Sequence, residues 1–260
     1  MPDFKEIRSR DNSLIKLVSR LQSSSSARKE HGLFVLEGLR LCSDAFLNGI
    51  RFDKLIVSFS AAGKYNNEIS GFLSKTGECI KVPDNLFEKI SDTKSPQGII
   101  ALCRIPEHNA RGISSAGRYV ALENISDPSN FGAVARTAEA LGADGLIVSS
   151  DGCDPYSPKV LRSSMGTVLR LPVFVAEDFE LLLKSSGLKT YACVVDSSAE
   201  SITVQKFSDG CAVLIGNEAN GLTEKTAMTP YRRVTIPMKG KAESLNAAAA
   251  AAIAVWEMMK

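Results

Sequence analysis

The stretch YVALENISDPSNFGAVARTAEALG, residues 119–142, joins an apolar run to a helix through a polar turn. Tyr119 to Glu123 reads as a buried strand, since the run is apolar up to Glu123 and turn-forming residues follow at once. The second half reads as a helix with Asn130 or Ser129 as its cap and Gly142 as its stop. Downstream the pattern recurs: Gly145 to Val148, Tyr191 to Val195 and Ala212 to Ile215 are short apolar runs with helix-compatible stretches between them. That spacing predicts a parallel, mostly buried sheet in an α/β domain. In such sheets ligands gather beyond the C-terminal ends of strands, so the residues after these runs are the candidates for chemistry.

Upstream, Leu14, Ile15, Leu17, Val18 and Leu21 fall at helical spacing, and Ser23 to Ser26 should end that helix or form an elbow. Phe34 to Glu37 and Lys54 to Val57 read as strands flanking a helix over Gly38 to Leu47, and the α/β alternation runs on to Ile99–Cys103. Pro106 to Gly117 is polar and lacks apolar periodicity, which places a linker at 106–117 between a smaller domain (1–105) and a larger one (118–260).

At 260 residues, 44% hydrophobic and 23% charged, the chain can bury a sizeable core. Nothing in it approaches the ~18–20 apolar residues of a membrane span, and Met-Pro-Asp-Phe-Lys lacks the apolar core of a secretory signal. A cytoplasmic protein with no membrane partner is expected. Its six cysteines (Cys42, Cys79, Cys103, Cys153, Cys193, Cys211) include no C-x-x-C pair, and only His31 and His108 could assist them, so reduced thiols and no metal are expected. The same scarcity of histidine argues against a Ser-His-Asp relay.

Charge is uneven. Residues 1–110 hold 16 Lys/Arg against 13 Asp/Glu, and within 5–29 seven basic side chains (Lys5, Arg8, Arg10, Lys16, Arg20, Arg28, Lys29) face only Glu6 and Asp11. A basic helix over about 5–29 suits a polyanion, although a merely solvated helix face has the same composition.

Two further segments stand out. After the 212–215 run comes Gly216-Asn217-Glu218-Ala219-Asn220-Gly221-Leu222, where glycines permit close backbone approach to a ligand or only a tight turn. Then Ile236-Pro237-Met238-Lys239-Gly240-Lys241-Ala242-Glu243-Ser244-Leu245-Asn246 opens an alanine-rich helix through Trp256, with Ser244 as its natural cap. The alanines Ala247 to Ala252 mean helix propensity, or close packing against another backbone or subunit.

Taken in order, NISDPSNFGAVARTA (124–138), LIGNEANGL (214–222) and IPMKGKAESLNAA (236–248) resemble the SpoU (TrmH-type) branch of the SPOUT RNA 2′-O-ribose methyltransferases. The resemblance spans about residues 117–260. FVLEG (34–38) and SPQGIIA (95–101) are similar, more loosely, to the N-terminal substrate-binding extension of many members, an α/β sandwich like that of RNA-binding ribosomal proteins.

That resemblance implies S-adenosylmethionine as methyl donor, a C-terminal trefoil knot, a homodimer whose knotted regions meet, and RNA as substrate. Ribosomal RNA is the expected target and transfer RNA the other candidate. By match to the family motifs, Gly216, Ile236, Met238 and Leu245 would contact the cofactor, while Arg136, Asn130, Glu218, Ser244 and Asn246 would form the catalytic set. Apolar Ile, Met and Leu beside a glycine backbone suit a purine. Arginine is an awkward base, since its pKa exceeds ~12, so gripping a phosphate and orienting the 2′-oxygen is its safer role. A non-catalytic knotted RNA-binding protein is the alternative. A nicotinamide oxidoreductase is disfavoured because the glycine fingerprint and its downstream acid are not placed together.

Overall fold

The computed structural model describes residues 4–228 and 230–260. The chain divides into two compact units, one holding the residues up to Pro106 with Tyr156–Arg162, the other Glu107–Pro155 with Ser163–Lys260.

The first runs β1 (Lys5–Glu6), α1 (Ser13–Ser23), α2 (Ser25–His31), β2 (Leu33–Glu37), α3 (Leu39–Leu47), β3 (Phe52–Ser58), α4 (Phe59–Lys64), α5 (Asn66–Phe72), β4 (Thr76–Val82), α6 (Asp84–Ile90), β5 (Ile99–Arg104). Among the described residues its sheet has the order β1-β4-β3-β5-β2, with β1, β3 and β4 parallel and β5 antiparallel to both β2 and β3. α1 forms because Ile15, Val18 and Leu21 make one apolar stripe, all buried against this sheet, and Asn12 caps it by accepting from the Leu14 N–H.

The basic stretch 5–29 is not one helix, and the break expected at Ser23 to Ser26 does form. Lys5–Glu6 is a strand, and α1 stops at Ser24, whose hydroxyl accepts from the Ala27 N–H and so begins α2. Local hydroxyl–backbone bonding at the serine run wins over helix continuation. Much of the positive charge is also answered internally: Lys16 pairs with Asp11 at 3.1 Å, Arg20 with Glu30 at 3.4 Å and Arg8 with Glu6 at 2.9 Å. Arg28 is buried, its guanidinium on the carbonyls of Leu21 and Gln22.

The second unit runs β6 (Arg118–Leu122), α7 (Pro128–Leu141), β7 (Gly145–Ser149), α8 (Pro158–Ser163), β8 (Val173–Ala176), α9 (Phe179–Ser185), β9 (Lys189–Cys193), β10 (Glu200–Ser201), β11 (Cys211–Ile215), α10 (Glu224–Met228), β12 (Arg232–Thr235) and α11 (Ala247–Met259), of which most of α8 falls in the first unit. Among the described residues the sheet order is β10-β12-β9-β11-β6-β7-β8, parallel at every pairing. Every residue of β7 and β11 is buried, as expected of strands covered on both faces. The stretch before β6 is more than a tether: Ile113 packs into this unit's core, and the Ser114 N–H donates to the Tyr119 hydroxyl.

Two helices matter most for the site. α7 buries Phe131, Val134, Ala135 and Ala138, and ends at Gly142 in the left-handed region. α11 buries Ala247, Ala251, Ala254, Val255 and Met258 and packs on α7, β11 and β6. Alanine at the contact lets the two backbones approach closely. Cys42, Cys79, Cys103 and Cys211 are buried, Cys153 and Cys193 half-buried, and all six are free thiols.

Candidate active site

β6, β9 and β11 are parallel neighbours, so the segments leaving their C-terminal ends meet at one edge. Gly216 to Leu222 follows β11 there and folds back on itself: Asn217 and Gly221 exchange N–H···O bonds of 2.9 Å in both directions, and Asn217 Oδ1 accepts from the N–H groups of Ala219 and Asn220. Gly216 has no alternative, because a Cβ on it would stand 2.1 Å from both Gly221 C and Leu222 N.

That turn lines a cavity of about 380 Å³ with Cys193 to Val195, Ile215, Ser244, Leu245, Ala247 and Ala250. An adjoining cavity of about 70 Å³ shares Cys193 to Val195, Leu245 and Ala250 and adds Thr235, Ile236 and Met238. The four residues expected to contact a cofactor, Gly216, Ile236, Met238 and Leu245, are thus brought together although up to 29 positions separate them in sequence. Val195 (68% exposed), Met238 (37%) and Leu245 (37%) stand open to solvent around these cavities. Large apolar side chains converging on a concave surface with backbone polar groups of the 216–222 turn are what an adenosine-like ligand requires.

Beside the cavity lies a hydrogen-bonded chain. Asn130 Nδ2 donates to Glu218 Oε1 at 2.9 Å, and Asn130 Oδ1 accepts from Asn246 Nδ2 at 3.0 Å. Asn246 Oδ1 in turn accepts from the N–H groups of Ala248 and Ala249, so it caps α11. The carboxylate of Glu218 also accepts from the Ser126 N–H and hydroxyl and from the Asp127 N–H, at 3.0–3.2 Å. Partial burial opposes its charge, but the donors from Asn130 and the backbone of Glu218, Ser126 and Asp127 outweigh it and lower its pKa to about 2. Glu218 is therefore an ionised, fully engaged acceptor at neutral pH.

Two expected caps are replaced. Asp127, not Asn130 or Ser129, caps α7 by accepting from the Ser129 N–H at 2.7 Å, with Pro128 in the first turn. That frees Asn130 to sit buried inside the first turn with both ends of its amide bonded. Asn246 caps α11 in place of Ser244, which lines the cavity two residues before it.

Arg136 stands apart. It lies six residues after Asn130, about 9 Å along the axis and about 240° around it. The residue is exposed, lines neither cavity and makes no hydrogen bond or ion pair among the described residues.

Residues not foreseen hold the site in place. Asn124 is in the left-handed region at φ 50°, donates from its N–H to Ser149 Oγ (2.7 Å) and from Nδ2 to Asp151 (3.0 Å), and its carbonyl accepts from Asn217 Nδ2 (2.8 Å). It ties the ends of β6, β7 and β11 together. Glu123, 7% exposed, accepts from the Thr223 N–H (2.8 Å), the Thr223 hydroxyl (2.8 Å) and the Thr226 hydroxyl (2.6 Å), fixing the exit of the 216–222 turn. A buried-strand carboxylate followed by asparagine was the available signal for both, since neither belongs in an apolar run without a partner.

Comparison with known proteins identifies the family. Residues 117–256 match the SpoU rRNA Methylase family and residues 12–101 the MRM3-like substrate binding domain. The chain is 29% identical to the 23S rRNA (guanosine(2553)-2′-O)-methyltransferase RlmP of Bacillus subtilis, over 98% of this chain and 99% of that one. It is equally 29% identical to a 23S rRNA (uridine(2479)-2′-O)-methyltransferase of Streptomyces viridochromogenes, over 100% and 93%. Its fold superposes on the crystal structure of an AdoMet-bound rRNA methyltransferase from Sinorhizobium meliloti with a TM-score of 0.86 at 28% identity, covering 98% and 97% of the two chains.

Proposed function

The chain belongs to the SpoU rRNA Methylase family, and on that premise we propose how its own residues divide the work of methylating RNA. It is an RNA (ribose-2′-O)-methyltransferase that uses S-adenosylmethionine, and its substrate is ribosomal RNA. The observation that carries this reading is the convergence of Gly216, Ile236, Met238 and Leu245 on one pair of adjoining cavities, alongside the Glu218–Asn130–Asn246 chain.

Ile236, Met238 and Leu245 supply apolar walls for the adenosine, and the Gly216 backbone gives it room. Bound there, S-adenosylmethionine supplies an electrophilic methyl group on a positively charged sulfur. Asn130, Glu218 and Asn246 lock the cavity rim, and Ser244 contributes a hydroxyl beside it. A carboxylate with a pKa of about 2 that already accepts several hydrogen bonds is a poor proton acceptor, so Glu218 holds rather than deprotonates. Arg136, unpaired on the open face of α7, grips a substrate phosphate and orients the ribose 2′-oxygen.

The protein works as a homodimer in the cytoplasm. Supporting the dimer, α11 carries Ile253 (38% exposed) and Trp256 (58%) on its open side, four and seven residues after Ala249. A second copy would also explain why Arg136 lies away from the cavities of its own chain: it would serve the cavity of the other. Among the described residues no helix is long and apolar enough to cross a membrane. The trefoil knot rests on the path after β11, which leaves for β12, beyond β9, and returns as α11 against β11, β6 and α7. Residues up to about 105 form the RNA substrate-binding domain.

The test is methyl transfer from radiolabelled S-adenosylmethionine to total RNA of cells lacking the gene. Label in large ribosomal RNA that disappears with Arg136→Ala supports the reading; cofactor binding without any label would favour the non-catalytic alternative.

A further inference from the structure

The N-terminal unit has its own cavity, of about 420 Å³, lined by Ser58, Ser60, Lys64, Tyr65, Asp84 and Gln97 among others. It sits where β3 and β4 end and β5 begins, the edge at which the segments after β2 and before β5 also meet. Glu37, at the end of β2, holds the 91–93 stretch: its carboxylate accepts from the Ser91 hydroxyl, from the Asp92 N–H at 2.9 Å and from the Thr93 hydroxyl at 2.7 Å. Gln97 Oε1 accepts from the Leu39 N–H at 2.8 Å and so caps α3. An exposed loop is thereby held in one conformation, which is the condition for docking without a large ordering cost.

Several polar groups of this loop and of the elements around the cavity are unused. Gln97 Nε2 and the Tyr65 hydroxyl make no hydrogen bond, and Arg40, Lys64 and Lys94, all exposed, make no ion pair among the described residues. The half-exposed Tyr65 ring has only Lys64 Nζ over it, 5.0 Å from its centroid. Asp84 is engaged by the N–H and hydroxyl of Ser60, whereas Glu88, also in the lining, makes no hydrogen bond or ion pair among the described residues. Inside, Lys64 is outnumbered by the carboxylates of Asp84 and Glu88; Arg40 and Lys94 do not line the cavity but flank Leu39, whose N–H Gln97 holds, and Ser95 of the lining, so a phosphate is favoured at that margin over the interior. A nucleobase meets the opposite conditions inside: an aromatic face to stack on, an amide donor for a ring nitrogen or carbonyl, and a carboxylate for an exocyclic amine.

We propose that this cavity takes one unstacked nucleotide of the substrate RNA, its base between Tyr65 and Gln97 and its phosphates at Arg40 and Lys94. The inference rests on the RNA-methylating reading above. It assigns recognition of one nucleotide to the N-terminal unit.

The full-length protein would be photo-crosslinked to 23S ribosomal RNA transcribed with 4-thiouridine, and the adducts mapped by mass spectrometry. Adducts in peptides spanning 58–65 and 84–98 are expected; adducts confined to other segments overturn the proposal. In methyl transfer to the same transcript, Tyr65→Ala should raise the RNA KM about tenfold, within the range for loss of one stacked base, with kcat and S-adenosylmethionine Kd within about twofold. Tyr65→Phe should restore the KM. Gln97→Glu keeps the α3 cap acceptor but removes the donor, and should also raise the KM; unchanged KM in both Tyr65→Ala and Gln97→Glu sinks the idea. If the wild-type protein transfers no methyl group, the functional reading fails, and the crosslinks still decide this one.

Discussion

Asn130 Nδ2 lies 2.9 Å from Glu218 Oε1, joining the first turn of α7 to the turn after β11 across 88 residues of sequence. Because the same amide accepts from Asn246, one buried side chain couples all three motif segments. Its two ends are not interchangeable: one must donate and the other accept.

Asn130→Asp tests that coupling. The change replaces a donor by a carboxylate facing the Glu218 carboxylate, and the like charges should splay the cavity rim. Methyl transfer should fall at least about 100-fold, in the range for a misplaced reacting group, with a weaker S-adenosylmethionine Kd by calorimetry.

Arg136 makes no bond that the fold needs. Arg136→Ala and Arg136→Lys should therefore leave the thermal midpoint unchanged and the cofactor Kd within about twofold of wild type while lowering kcat about 100-fold or more; the lysine fails because it lacks the planar fork. Near-normal turnover by both variants removes Arg136 from the mechanism.

Gly216→Ala puts a methyl group 2.1 Å from backbone atoms that cannot swing aside. Overpacking of this kind costs about 1–3 kcal/mol, and the 216–222 turn should move. Loss of cofactor binding together with a lower thermal midpoint is the expected result.

The depressed pKa of Glu218 gives a pH prediction with a definite sign. A carboxyl held below its usual value stabilises the folded state fully above its ordinary pKa of 4.5, and that contribution is lost as pH falls toward about 2. Thermal midpoints measured from pH 7 to pH 2 should fall more steeply for wild type than for Glu218→Gln, with no Glu218-dependent change between pH 6 and pH 8.

Trp256 tests the dimer. Trp256→Glu places a charge on the open side of α11, and light scattering should then give a monomer mass where wild type gives a dimer. Loss of methyl transfer alongside the mass change would link the second copy to the site.

The sequence carried the architecture because its signals are local. Apolar runs such as Ala212 to Ile215 and the 3.6-residue stripe of Val134, Ala135 and Ala138 mark strand and helix, and the order of the three motif segments carries the family resemblance. Caps were less legible. Ser129, Asn130 and Asp127 are all competent cap residues, and which one closes α7 depends on Pro128 taking the first turn. In the basic stretch, composition counts charges but does not show their pairing: Asp11, Glu30 and Glu6 meet Lys16, Arg20 and Arg8 only once the backbone brings each pair together.

What the sequence by itself determined is the parallel α/β unit, its motif residues and the chemistry they suit. Only the tertiary structure decided that Gly216, Ile236, Met238 and Leu245 share a pair of adjoining cavities, that Glu218 accepts from Asn130, Ser126 and Asp127, and that Arg136 lines neither cavity. These are facts of distance between segments remote in the chain, and hydrogen bonding and charge interact through space, where periodicity along the sequence has no purchase.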